Sequence, residues 1–112
     1  MPFQRALPLR DVPRGQMRTC VLAGREIVVC HTKQGVFALD NICTHAHARM
    51  NEGRLRGMRL ICPLHGTAFD VGDGRVLRPP ATVRLPHYPV RVVDDFVEVA
   101  IDHSTRNQST SA

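Results

Sequence analysis

Cys43-Thr44-His45 and Cys62-Pro63-Leu64-His65, read together, give the pattern C-x-H-x16-C-x2-H. Each half places one thiol and one imidazole on a short loop, one or two residues apart. Two such loops that converge present two sulfurs and two nitrogens. Tetrahedral zinc accepts that ligand set. A 2Fe-2S cluster accepts it too, with both cysteines on one iron and both histidines on the other. The spacing separates the options, because zinc modules generally pair Cys with Cys and then His with His, whereas both loops here are mixed. Two buried thiols beside two incidental histidines is the plain alternative. Four ligand-type residues at this spacing, with Pro63 and Gly66 among them, rarely arise that way.

The pattern continues outward. Gly66 follows the second loop, then Phe69-Asp70 and Gly74, and Pro79-Pro80-Ala81 lies beyond. With these neighbours the chain resembles the Rieske iron–sulfur family over residues 5–101. That resemblance implies an all-β Rieske domain, an antiparallel β-sandwich base with a smaller cluster-binding lobe at 41–80. It implies one Rieske 2Fe-2S cluster held by Cys43, His45, Cys62 and His65, with the proline loop covering the cluster from a third side. Two ferric ions, two sulfides and two thiolates sum to zero charge, so one added electron makes the cluster −1, and the potential lies above that of an all-Cys cluster. High-potential members carry a second, disulfide-bonded Cys in each loop; Ala48 and Leu64 stand at those positions here. Those members also place a Ser and a Tyr hydroxyl beside the cluster sulfurs. Thr67 and Phe69 replace them, so Thr67 is expected to donate one hydrogen bond and Phe69 none. The expected midpoint is at the low end of the range, about −150 mV. Free ring N–H groups on the ligand histidines are expected to lower it further at alkaline pH.

Around this motif, short apolar runs broken by Gly, Pro, Asn and Asp predict strands at 6–9, 17–22, 26–31, 36–40, 58–62, 67–71 and 75–77. A closing hairpin of 89–93 and 96–101 turns at Asp94-Asp95. No stretch has the periodicity of a long amphipathic helix. Residues 1–102 are expected to form a single domain, and 103–112, rich in Ser, Thr, Asn and Gln, a disordered tail. If the turn after Leu22 centres on Ala23-Gly24-Arg25, Cys20 faces Val28, Arg18 faces Cys30, and the two thiols share a face diagonally. That is a poor start for a disulfide, and both are expected to be core thiols. His47 is expected at the solvent beside the cluster, and His31, His87 and His103 to be structural or exposed.

Length and charge limit the function. The chain has 112 residues, 12.5 kDa, a net charge of +5 and a pI near 9.7. Only 32 residues and two histidines follow Pro80, too little for a second domain with mononuclear iron, so this is not the terminal oxygenase. No GxGxxG unit marks a flavin or nicotinamide reductase. No apolar run suits a signal peptide or a membrane span, which predicts a cytoplasmic protein that does not engage the membrane. Fourteen of the fifteen basic residues are Arg, scattered among only four Phe and one Tyr, which disfavours nucleic acid. The resemblance therefore implies a non-catalytic electron carrier of aromatic hydrocarbon catabolism. Its partners would be an NAD(P)H-dependent flavin reductase and a terminal ring-hydroxylating oxygenase. Two alternatives share the domain: the small subunit of a cytoplasmic NAD(P)H nitrite reductase, and the ferredoxin of a diiron hydroxylase. Arg49, Arg54, Arg56 and Arg59 cluster between the ligand pairs, as a solvated surface or as a basic rim that steers an acidic partner.

Overall fold

A computed structural model of the chain describes residues 2–101; the tail expected from His103 onward lies outside them. Eleven strands are described: β1 (Phe3–Pro8), β2 (Met17–Leu22), β3 (Arg25–Thr32), β4 (Gly35–Asp40), β5 (Arg54–Arg56), β6 (Arg59–Ile61), β7 (Ala68–Asp70), β8 (Val76–Arg78), β9 (His87–Tyr88), β10 (Val90–Val93) and β11 (Phe96–Ala100). Among the described residues, helix is confined to single 3-10 turns at Leu9–Asp11 and Met50–Glu52. The strands form three antiparallel sheets, ordered β1-β11-β10, β2-β3-β4-β9 and β5-β6-β7-β8.

The β2-β3-β4-β9 sheet is the middle layer. Ile27, Val28, Val29 and Cys30 of β3 are all fully buried, the unbroken apolar run of a strand covered on both faces. Ile27, Val29 and Ala38 pack with Val97, Val99 and Ile101 of the β1-β11-β10 side, and this pair of sheets is the sandwich base. Val28, Cys30 and Leu39 face the other way and pack with Met50, Leu60, Phe69 and Leu85 of the smaller lobe. The closing hairpin turns at Asp94-Asp95 as expected, with Val93 opposite Phe96.

One register differs from the sequence-based expectation. The β2–β3 connection is a two-residue turn, with Ala23 at φ 52° and Gly24 at φ 77°, the left-handed pair that suits the twist of a hairpin. Leu22 therefore pairs with Arg25, Cys20 with Ile27 and Met17 with Cys30. A one-residue change of register moves a side chain to the opposite face. Cys20 and Cys30 thus sit on opposite sides of the sheet, Cys30 buried in the lobe-side core and Cys20 half-buried against the base core. Two short strands were also missed. β5 reads Arg-Leu-Arg and β9 His-Tyr, and neither is long enough to show an alternation.

Candidate metal centre

Both ligand loops are hairpin tips. In the first, Ile42 bridges Arg49, Cys43 N–H donates to Ala48 O (2.8 Å), and Met50 N–H donates to Asn41 O (2.6 Å). In the second, between β6 and β7, Cys62 N–H donates to Thr67 O (2.8 Å). His65 and Gly66 turn this tip with φ of 66° and 69°. The close approach of its base requires Gly53, where a Cβ would lie 1.8 Å from the Ile61 carbonyl oxygen.

The four predicted ligands come together as two pairs. Cys43 and Cys62 are 3% and 2% exposed and lie beside one another. His45 N–H points at Cys43 Sγ (3.4 Å), and the Leu64 backbone N–H at the Cys62 sulfur. Burial pushes the Cys62 thiol above its ordinary range, the Leu64 N–H opposes this, and the neighbouring Cys43 adds to the rise. The two imidazoles are exposed, with His45 Nε2 and His65 Nδ1 3.3 Å apart and the rings nearly edge to face at 5.3 Å. Among the described residues, no three His, Cys, Asp or Glu side chains close on one ion-sized point.

The segment after β8 closes a third side. Thr44 Oγ1 donates to Val83 O (2.6 Å), and Leu85 N–H donates to Gly74 O (2.8 Å). Thr67 is fully buried; its hydroxyl donates to Arg78 O (2.6 Å) and accepts from Ala81 N–H (3.0 Å). The expected Thr67 bond to a cluster sulfur is therefore corrected, since its one proton is committed to a carbonyl. It pins the proline loop instead. Phe69 is buried and has no hydroxyl to give.

Two further groups hold the first loop. Arg49 is clamped to Glu26 (3.1 Å and 3.3 Å), so it belongs to the loop's framework and not to a free basic rim. At the end of β4, Asp40 accepts from Arg25 Nε (3.3 Å), Arg25 Nη2 (2.9 Å) and Tyr88 Oη (2.5 Å). Burial, then this bond, raises the Tyr88 phenol well above its ordinary range. Sequence reasoning missed this network, because Arg25, Asp40 and Tyr88 are separated in the chain and form no motif. His47 is exposed, at φ 55°, beside Arg25, Glu26, Asp40 and Cys43.

Residues 3–89 match the Rieske [2Fe-2S] domain. The chain belongs to that family. A Rieske domain carries one 2Fe-2S cluster, and the buried thiol pair beneath an exposed imidazole pair fits its ligand demand. The Rieske chain is 38% identical over 87 residues to the ferredoxin component of a naphthalene 1,2-dioxygenase system from Pseudomonas aeruginosa, covering 78% of this chain and 84% of that one. Its fold superposes on the ferredoxin of carbazole 1,9a-dioxygenase from Nocardioides aromaticivorans with a TM-score of 0.84 at 27% identity, over 89% and 98% of the two chains. It is likewise similar to a chain in a complex of reduced oxygenase and oxidized ferredoxin of carbazole 1,9a-dioxygenase (TM-score 0.83, 31% identity, 89% and 94% covered). No helix among the described residues is long and apolar enough to cross a membrane.

Proposed function

We propose that Cys43 and Cys62 hold one iron of the Rieske cluster and His45 and His65 the other. We further propose that the chain is a cytoplasmic one-electron carrier, taking electrons from an NAD(P)H-dependent flavin reductase and passing them to a terminal ring-hydroxylating oxygenase. One observation carries this reading: the thiols are buried while the two imidazoles face each other at the exposed tip of the two hairpins. Donors standing as two pairs suit two metal centres better than the single point that zinc requires. When bound, the cluster supplies a one-electron couple with all its coordination positions filled.

The chain's own residues hold and wall that group. His45 N–H and Leu64 N–H stabilise negative charge on the two sulfurs. Thr44 and Thr67 fasten the loop that shuts off the third side, leaving the histidine edge as the short path out. The relatives named above are ferredoxin components, and one is seen with an oxygenase, which supports the oxygenase as acceptor. In this reading one domain spans 1–102, with its cluster-binding lobe over 41–80.

Visible absorption and EPR of the reduced, purified protein test the cluster. Cys62→Ser and His65→Ala should abolish both signals and release iron, while Cys20→Ser should keep them. A colourless, EPR-silent protein with stoichiometric zinc overturns the assignment. Reductase and oxygenase should consume NAD(P)H together only when the loaded chain is added.

A further inference from the structure

The β5-β6-β7-β8 sheet turns Leu55, Leu60 and Phe69 inward, to the core. The alternate positions form its outer face. Arg54 and Arg56 of β5 and Arg59 of β6 lie there, all exposed. Arg54 stands opposite Ile61 and Ile61 opposite Ala68, which is buried, and the register shifts between Ala68 and Phe69 before β8, so the exposed charge of this face is that of the β5–β6 hairpin. Arg56 and Arg59 oppose each other directly. Like charges in that position repel and lower stability, so the arrangement does not serve the fold.

The face carries one carboxylate opposite these arginines, Asp70, across from Arg59. Asp70 is already engaged by Arg75 (3.7 Å) and by Gly72 N–H (2.7 Å). Arg5, Arg25, Arg49 and Arg91 are likewise ion-paired. Among the described residues Arg54, Arg56 and Arg59 have no carboxylate within ion-pair distance, a state they share with Arg10, Arg14, Arg18, Arg78, Arg84 and Lys33; what sets the three apart is their place on one hairpin beside the second ligand loop. The face also runs into the ligand loops. A groove lined by Glu52, Gly53, Arg54, Ile61, Cys62, Pro63 and Gly66 joins it to the second tip, with Glu52 the acid at its edge.

The geometry points to this outer sheet face as the docking surface for an acidic patch on the terminal oxygenase, with Arg54, Arg56 and Arg59 supplying the attracting charge. The inference rests on the carrier reading above. Unpaired arginines next to the exit for electrons raise the encounter rate with an acidic surface, and the gain fades with salt. The face carries no aromatic side chain on which a base could stack, which separates it from a surface for single-stranded nucleic acid.

The test is stopped-flow transfer from the reduced, cluster-loaded chain to a purified naphthalene dioxygenase terminal oxygenase. The wild type is compared with the triple variant Arg54→Glu, Arg56→Glu, Arg59→Glu, or with Arg56→Gln, Arg59→Gln if the triple variant fails to load. Unchanged visible and EPR spectra establish an intact centre, and cytochrome c, a basic acceptor, should be reduced as fast or faster. The second-order rate to the oxygenase should fall about tenfold or more at low salt, with the gap closing near ~0.5 M. Equal rates at low salt overturn the docking surface while leaving the carrier reading standing. So does a loss confined to reduction by the flavin reductase, or salt-sensitive DNA retention that the variant loses at an unchanged oxygenase rate. A loaded wild type that reduces no terminal oxygenase refutes the carrier reading, and the docking surface falls with it.

Discussion

Thr67 shows how a single hydroxyl divides between structure and redox tuning. Its proton goes to Arg78 O and its lone pair takes Ala81 N–H, so the side chain anchors the proline loop and gives the sulfurs no hydroxyl proton of its own. Phe69 offers none either. The loaded protein should therefore have a midpoint at the low end for such centres, about −150 mV. Thr67→Val should leave the midpoint near that value while lowering stability by about 1–3 kcal/mol, because Ala81 N–H becomes a buried donor without a partner. Redox titration and urea unfolding of the same two samples measure both quantities; a clearly positive wild-type midpoint would contradict the assignment of the hydroxyl. The position of Thr67 was legible from its spacing to Cys62, but the direction of a hydroxyl proton was not. Arg49 carries the same lesson. Its place among the loop arginines was plain, but Glu26, 23 residues earlier, which neutralises it, is brought near only by folding.

Among the elements, those with an apolar run of their own were readable and those made by their neighbours were not. β2 has the bounds its run predicts, and β3 and β4 extend theirs by one or two residues. β9 is two residues long and exists because Asp40 collects Tyr88 and Arg25 and donates its own N–H to Pro86 O (2.9 Å). The β2–β3 register likewise depended on whether the turn held two residues or three, a choice set by Ala23 accepting a positive φ. Tyr88→Phe tests the tie between β9 and β4. It removes a hydrogen bond to a buried carboxylate that Arg25 still satisfies, so stability should drop by about 1.5–3 kcal/mol. Absorption of the loaded centre should be unchanged, since Cys43 keeps its bond to Ala48. A variant as stable as the wild type in urea would mean that β9 is held by backbone pairing alone.

For the whole molecule, the three-layer stack has two cores separated by one sheet, and each contains a thiol that is no ligand in the proposed site. Burial raises Cys20 from its ordinary 9.0 to about 11 and Cys30 to about 12, and Tyr88 is raised as well. In the folded chain these groups stay protonated where the unfolded chain begins to lose its protons. Their contribution to stability is therefore complete below pH 9, declines as the pH rises past the unfolded values, and is lost once it passes the folded ones. The net charge of +5 acts in the opposite direction up to the pI near 9.7, because its self-repulsion relaxes as the pH rises towards that value. A fall in the urea midpoint that has already begun between pH 8 and the pI would thus trace to buried acids and not to surface charge. Cys20→Ala should flatten that fall in part, since Cys30 sits in the other core and continues to titrate. A midpoint constant from pH 8 to pH 11 would show that both thiols reach solvent readily, contrary to a sheet covered on its two faces.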